Sequence, residues 1–561
     1  MKHQILTTAL GTVVSVLAFG QNFNPTVEVT NAYEGGAASI QKPAQQMAVP
    51  DSVLTFNLDF DYSVFEKPYQ GAYEFKPYHV QLRPAPTPST ENSFYLKAGA
   101  GYTLRPELEL VWTPFRRERA QVDVYALHHS YFGRYHSIDA LDEEAGSRVF
   151  KPTGEKAGGF LTDTRIGVDG AYGWDGGLAT ADISWQNRLA DDDLLFRRLH
   201  GVNAKARVRS TESDAPHFLY DAAVDYHFYD LSGSWNTSLV APGASDFTES
   251  RFVLDGTFGP TFGPDSRLLV DLDLALVRYG GYAPGYTGGL SVTPKYEFAL
   301  DDWRFSLGAR LSSLIYSDDW PEESRVKSGY IFPAVHVDWH LLDDQLVLQA
   351  AATGGDRVNA RSDAFILRPF ALQSDFAHSL ERVRAMLGVR GSIAGRFRYD
   401  LQGGYARWNR APLDCFVPDV DYYPAYGDAA FNLVFAELDY GWKSENVTVD
   451  GKMAYRWTSA LEDGFFAPAA FTGWIRPAWH WGDRFTAGLD AAWSTRRHAE
   501  YGGVPFDVPG WLDPGLFAEF QFTRHSGFWL KGGNLLCQTI QATPLHAEAG
   551  LYITGGILLT F

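Results

Sequence analysis

The chain holds only two cysteines, Cys415 and Cys537, and four methionines in 561 residues. Both cysteines fall in or beside expected loops, so they are either free or joined by one bridge, and no disulfide framework organises the fold. After the first twenty residues no stretch reaches the length of apolar sequence that a membrane-crossing helix needs. There is no excess of basic residues either. The formal net charge is -19 and nothing forms a basic stripe, which argues against a nucleic-acid partner. Catalytic signatures are equally sparse. His128-His129-Ser130 would occupy successive strand positions, so the two imidazoles point to opposite faces, and no nucleophile, base and orienting carboxylate stand at a recognisable spacing. No phosphate-cradling glycine loop stands out, since Gly99 and Gly101 lie mid-strand. The acidic groups around Asp139 to Glu144, Asp191 to Asp193 and Asp318-Asp319 read as solvated surface loops, with divalent-ion bridging as the alternative. The chain is expected to be no enzyme and to carry no cofactor or resident metal.

What is present points to export and to strands. Lys2 and His3 precede an apolar run from Ile5 to Phe19, followed by small residues around Gly20; residues 1–20 read as a secretory signal peptide with the mature chain starting at Gln21. Apolar residues make up 45% and aromatics 15% of the chain, yet mean hydropathy is only -0.20. The apolar residues are therefore spread through the chain rather than blocked, as strand alternation requires. The last strand shows it plainly. Phe561, Leu559, Ile557, Ile553 and Leu551 share one face, and Thr560, Gly556 and Thr554 the other, with Leu558 and Tyr552 as apolar exceptions. A greasy face, a small or polar face and a terminal aromatic are how outer-membrane β-barrels finish, which makes Phe561 the expected membrane-insertion signal.

Period-two alternation recurs from Phe94 to Phe561. On the polar face it sets Lys205, Arg207 and Arg209, then Asp221 and Asp225, Asp271 and Asp273, Arg304 and Arg310, and Arg384 and Arg390. In a membrane barrel these eleven line the lumen. They either select a solute or pair across neighbouring strands to stiffen a wet wall. About 22 strands are expected, or about 18 if some are miscounted. Short connections at Asp301-Asp302, Asp343-Asp344, Ala394-Gly395, Lys443 to Asn446, Gly482-Asp483 and His525-Ser526 alternate with long ones near 132–157, 188–200, 231–249, 317–327, 356–380, 412–428 and 499–512. That asymmetry is the outer-membrane arrangement and places both chain ends at the periplasmic, short-turn side. Trp174, Trp303, Trp339, Trp442, Trp479 and Trp481 fall near the short turns, and Trp320, Trp408, Trp457 and Trp493 towards the other rim, as two interfacial belts would require. The fold class is thus all-β, an antiparallel up-and-down transmembrane barrel over 94–561, in the outer membrane of a Gram-negative bacterium.

The final hairpin, with Lys531-Gly-Gly-Asn-Leu-Leu536, a loop and a closing strand to Phe561, resembles the end of a TonB-dependent receptor barrel. The likeness covers residues 94–561, mostly by architecture and strand count. Thr26, Val27, Glu28, Val29 and Thr30 are similar to the TonB box, the segment that pairs with the energy-transducing protein in that family. The departure is large. Residues 21–93 leave no room for the family's plug domain and, with eight prolines between Pro25 and Pro88, read as an extended periplasmic or lumen-filling segment. A barrel this wide must be filled, and the aromatic run from Phe56 to Tyr78, infolded loops such as 132–157 and 356–380, or a second polypeptide are the candidates. The resemblance implies solute passage or uptake, through a gated channel or an atypical receptor. The alternative is a non-transporting barrel that docks other envelope components. Expected partners are outer-membrane lipid, the barrel assembly machinery, and TonB or another periplasmic protein through 21–93.

Overall fold

The structure is a computed structural model that describes residues 93–561 apart from connections at 143–145, 193–194, 212–216, 236–245, 264, 282–283, 318–327, 374–377, 418–422, 483 and 549. The calls on the signal peptide, the TonB-box-like segment and the rest of 21–92 lie outside the described residues.

The chain climbs and descends in neighbouring antiparallel strands. The first seven are β1 (Phe94–Tyr102), β2 (Glu107–Arg117), β3 (Ala120–Asp142), β4 (Arg148–Trp174), β5 (Gly177–Asp192), β6 (Leu195–Ser210) and β7 (Phe218–Trp235). Then come β8 (Phe247–Pro260), β9 (Ser266–Gly281), β10 (Gly285–Leu300), β11 (Trp303–Tyr316), β12 (Gly329–Asp344) and β13 (Leu346–Val358). A helix, α1 (Arg361–Leu367), and the two-residue β14 (Leu372–Gln373) interrupt the series. It resumes with β15 (His378–Ile393), β16 (Phe397–Val417), β17 (Tyr423–Lys443), β18 (Val447–Thr458), β19 (Phe471–Trp481) and β20 (Phe485–Ser494). A small hairpin, β21 (Arg497–Tyr501) and β22 (Val504–Val508), precedes β23 (Trp511–Gln521), β24 (Ser526–Gly533) and β25 (Tyr552–Thr560).

The sheet closes on itself. β1 pairs with β25 from Tyr95↔Thr560 to Tyr102↔Ile553, giving a closed barrel of 22 antiparallel strands once β14, β21 and β22 are set aside. Closure removes the free edges that an open sheet would expose. At the seam Gly99 stands opposite Gly556, and a Cβ on Gly556 would run into the Ala98 carbonyl oxygen and the Gly99 Cα. The Trp529 ring lies over this glycine floor, with Lys97 above it 5.0 Å from the ring centroid. Two long side-chain bridges then straddle the seam: Lys97 reaches Glu519 of β23 at 3.0 Å, and Lys531 of β24 reaches Glu107 of β2 at 2.8 Å. Phe561 completes the join, its N–H donating to the Phe94 carbonyl at 2.9 Å and its ring stacking on His525.

Alternation sorts the two faces. Ile183, Trp185, Val202, Val208, Leu387 and Leu401 are exposed on the outside. Their strand neighbours of opposite parity, such as Ser184, Asn203 and Asp400, are buried. The short connections fall where the turn residues put them, with Asp301 and Ala394 at positive φ. Trp303 and Trp339 stack at 4.8 Å beside such a turn, and Trp479 and Trp481 are exposed near another. Trp408 departs from the expected outer belt. It points inward and is buried among Ala406, Phe431 and Phe435.

Three expected loops prove to be ladder. β3 and β4 pair out to Asp142↔Arg148, β5 and β6 to Asp191↔Phe196, and β16 and β17 to Val417↔Tyr423. A spanning strand needs about 9–11 residues, whereas β4 has 27 and β16 and β17 have 21 each. The surplus projects beyond the membrane at the end opposite the short turns. There both faces meet water or loops, so the alternation disappears while the hydrogen-bond ladder continues.

Candidate functional site

The inner wall carries paired charges. Lys205 meets Asp225 at 2.6 Å, and Arg207 forks onto Asp221, its Nε donating at 2.7 Å. Arg209 stands exposed in register with Asp221. Asp271 accepts from the buried Lys295 at 3.0 Å and from the Thr257 hydroxyl at 2.7 Å. Asp273 accepts from Ser291 at 3.0 Å and lies 3.6 Å from Arg310. Arg304 sits in register with Asp338, which itself holds Arg390 at 2.7 Å. Arg384 bridges to Glu381 at 2.9 Å and lies 4.4 Å over the Phe435 ring. Side-chain pairing thus engages at least nine of the eleven, eight of them across strands, and neighbouring charges cancel along the wall.

The wall does not stay empty. At a bulge between Thr353 and Gly355, β13 leaves its register and turns inward. Asp356 then binds Ser312 and approaches Arg310 of β11, and Val358 would crowd any Cβ at Gly289 of β10. The chain continues as α1 across the inner face of β9, β8 and β6. Ala360 at the helix start has no capping side chain. The wall supplies the acceptor instead: the Ser362 N–H donates to Glu249 at 3.0 Å, and Glu249 also accepts from the Ser362 hydroxyl and lies 2.9 Å from His227. Asp363 receives Arg251 at 2.7 Å and Arg357 at 3.6 Å. Burial alone would raise the Asp363 carboxyl, but these two guanidinium groups hold it below its ordinary value. Phe365 is fully buried among Leu199, Tyr229, Val277 and Tyr279. Arg197 of β6 donates to the Ala371 carbonyl at 2.9 Å.

At its far end this strap reaches the opposite side of the wall. Arg368 grips Asp414 of β16 through both oxygens, its Nη2 at 3.0 Å, and Arg497 of β21 donates to the same carboxylate at 2.7 Å. β14 then pairs in parallel with β17 at Ala425 and Tyr426. The segment from Ala360 to Gln373 therefore forms a chord anchored on β6, β8 and β9 at one end and on β16 and β17 at the other.

Two further segments join it. In the β24–β25 connection, the Asn534 backbone N–H donates to the Asp513 carboxylate at 2.7 Å, and the Gln541 amide donates to the Phe150 carbonyl at 2.8 Å. His546 of the same connection stacks on Phe370 of the strap, ring centroids 3.9 Å apart and planes within 5°, with Tyr135 of β3 against both. The β21–β22 hairpin packs Phe506 on Phe150, Phe416 and Phe466, and β22 pairs in parallel with the projecting end of β4. Of the candidate fillers, 356–373 folds inward. The described parts of the other, 132–142 and 148–157, instead stand up as paired strands and meet the rest at their side.

His546 makes this cap sensitive to acid. Burial pushes its imidazole down to about 3, and Asp192, 3.9 Å away, is too far to offset that. The released loop titrates near the ordinary histidine value, so below that value the open form binds more protons than the closed one. Cap stability is therefore full above about pH 6.5 and falls as pH drops towards 3. Hydrogen exchange of residues 534–551 should accelerate between pH 7 and pH 4, once corrected for intrinsic rates, and His546→Phe should abolish that dependence.

Other candidates resolve plainly. His128 faces outward, hydrogen-bonded to Ser130 at 2.6 Å and Thr164 at 2.8 Å, while His129 faces inward; no carboxylate orients the His128–Ser130 pair. Cys415 and Cys537 are both free. Among the described residues no group of His, Cys, Asp and Glu could hold a metal ion, and no helix is long and apolar enough to cross a membrane. Sequence reasoning missed Glu249, Asp414, Arg368 and Arg497, which are far apart in the chain and share no local pattern.

The class of protein that this architecture defines is a large membrane β-barrel with some of its own connections folded in at one end. No protein-family profile and no curated protein sequence matches the chain. Solved structures do. The FrpB iron transporter from Neisseria meningitidis (F5-1 variant) superposes with a TM-score of 0.63 at 9% identity, covering 84% of this chain and 83% of that one. The ferripyoverdine receptor of the outer membrane of Pseudomonas aeruginosa gives 0.61 at 11% identity, covering 85% and 72%. The copper transporter OprC gives 0.58 at 12% identity, covering 83% and 80%. At such identities the likeness is one of fold. These neighbours are receptors and transporters, not enzymes.

Proposed function

We propose that the protein is an outer-membrane barrel for solute passage or uptake, in which an inward-folded strap closes the lumen. The observation that carries this is the anchoring of Ala360 to Gln373 on opposite sides of the inner wall by buried polar contacts. Polar contacts of this kind fix one geometry and can be exchanged for water when it opens, unlike a wall fused by apolar packing. Short turns and both chain ends then face the periplasm, with the cap outside. The eleven wall charges would form the passage lining. Because most are paired, the lumen would discriminate by size and by contacts near the cap more than by net charge. The fold neighbours carry iron, a ferric siderophore and copper, and a solute of that kind fits the same barrel.

Residues 1–20 would be removed on export. Residues 21–93, too short for a plug domain, would hang in the periplasm or enter the lumen, with Thr26 to Thr30 offered to TonB or another periplasmic protein. The sealed rim also favours a second reading, a non-transporting barrel that docks other envelope proteins. Swelling of liposomes separates the two. Replacing 361–373 by a short Gly-Ser turn should admit small uncharged sugars at rates well above those of the intact protein. Equal, negligible swelling by a folded strap-replaced protein would favour docking.

A further inference from the structure

Three chain segments that are remote in sequence meet at Asp414. Its carboxylate, 4% exposed, accepts both Nε and Nη2 of Arg368 from the strap and Nη1 of Arg497 from the β21–β22 hairpin. Arg368 is equally buried and lies over the Tyr426 ring, and Arg497 also donates to the Ala467 carbonyl at 3.2 Å and lies over Phe466. We infer that Asp414 is the latch of the barrel: one wall carboxylate that holds the lumen strap and the outer hairpin closed together, so that its release frees both. This rests on the passage reading above and adds the site of its control.

The α1 end of the strap has several independent holds, namely Glu249, Arg251 and the buried Phe365. Beyond α1 the strap is held by the Arg368–Asp414 pair, by Arg197 on the Pro369 and Ala371 carbonyls, by Phe370 stacked on His546 and by the two-residue β14 pairing. Among these holds Asp414 is the one that the strap shares with the outer hairpin. The three partners are not equivalent. Removing Arg497 leaves a neutral, two-pronged Arg368–Asp414 pair, and removing Arg368 leaves a neutral Arg497–Asp414 pair. Neutralising Asp414 instead strands two buried guanidinium groups, which is the costly change. The hairpin is the arm reachable from outside, since His498 and Tyr501 are exposed on it. A ligand or protein that pulled on that hairpin would disturb the same carboxylate that holds the strap.

The test is hydrogen exchange on full-length protein in detergent, read separately for residues 361–373, residues 496–508 and the barrel strands. In Asp414→Asn, exchange should rise by about 100-fold or more in both cap segments while the strands stay protected. Arg368→Gln should loosen the strap alone, and Arg497→Gln the hairpin alone. Because each arginine variant keeps a neutral pair, both remain informative if Asp414→Asn fails to fold. A strap still protected in Asp414→Asn or in Arg368→Gln, or freed as fully by Arg497→Gln, would overturn the latch. This readout needs no transport. If the strap loosens as described but its removal opens no passage, the latch stands and the passage reading fails.

Discussion

Gly556→Val yields no closed barrel. The residue lies on the inner face of β25, directly opposite Gly99, in the one pairing that joins the ends of the sheet. A Cβ there meets the Ala98 carbonyl oxygen and Gly99 Cα, backbone atoms that cannot swing aside as a flexible side chain would. Overpacking usually costs about 1–3 kcal/mol, but here the clash also separates β1 from β25 and exposes two strand edges to lipid, where unpaired backbone groups are very costly. The folded form, recognised by its faster mobility in unheated electrophoresis samples, should be lost. Gly550→Ala serves as the control, because a Cβ at Gly550 meets nothing within 4 Å. A Gly556→Val protein that folds normally would show that the seam tolerates separation.

Lys295→Met is expected to be the most damaging change in the wall away from the seam. Lys295 is 1% exposed and stands 3.0 Å from Asp271 and 3.5 Å from Glu297. The methionine fills the same space, so packing is kept and only the ammonium is lost. Asp271 is then left buried without the ammonium, while Glu297 keeps Arg267 at 2.9 Å, and the change should cost about 3–5 kcal/mol in a urea titration of the refolded barrel. Changing Asp271 to Asn in the same protein should recover part of that loss. This separates the two roles open to the lumen charges. A large loss of stability with unchanged solute preference assigns them to stiffening the wall, and a small loss with altered preference assigns them to selection.

The sequence made the barrel legible because a membrane imposes a strict rule on it. Residues such as Ile183 and Trp185 must face lipid while Ser184 faces in, and that alternation survives for as long as the strand is in the bilayer. Turn positions were equally plain, since Asp301-Asp302 and Ala394-Gly395 carry the chemistry of tight reversals. The projecting ends of β3, β4, β16 and β17 were read as loops because the constraint lapses beyond the membrane. Lys151 and Pro152 pair with Asp139 and Ile138, and Thr153, Gly154 and Glu155 bulge out of register beside them, without alternation. Trp408 misled for a related reason: an aromatic near the rim suits the lipid interface and the cap's own core alike. The strap could be flagged as an infolded loop, but its helix and its anchors could not. Glu249 and Ser362, or Asp414 and Arg497, come together only through closure of the whole sheet.

On the proposed reading, a continuous lumen is closed by the strap between Ala360 and Gln373. Single-channel conductance in planar bilayers tests it most directly, comparing the full-length protein with one in which 361–373 is replaced by a short Gly-Ser turn. The full-length protein should be silent or open briefly, and the strap-replaced protein should show large, steady openings. A strap-replaced barrel that is folded by its electrophoretic mobility yet stays silent, or a full-length protein that already conducts as freely, would contradict the account.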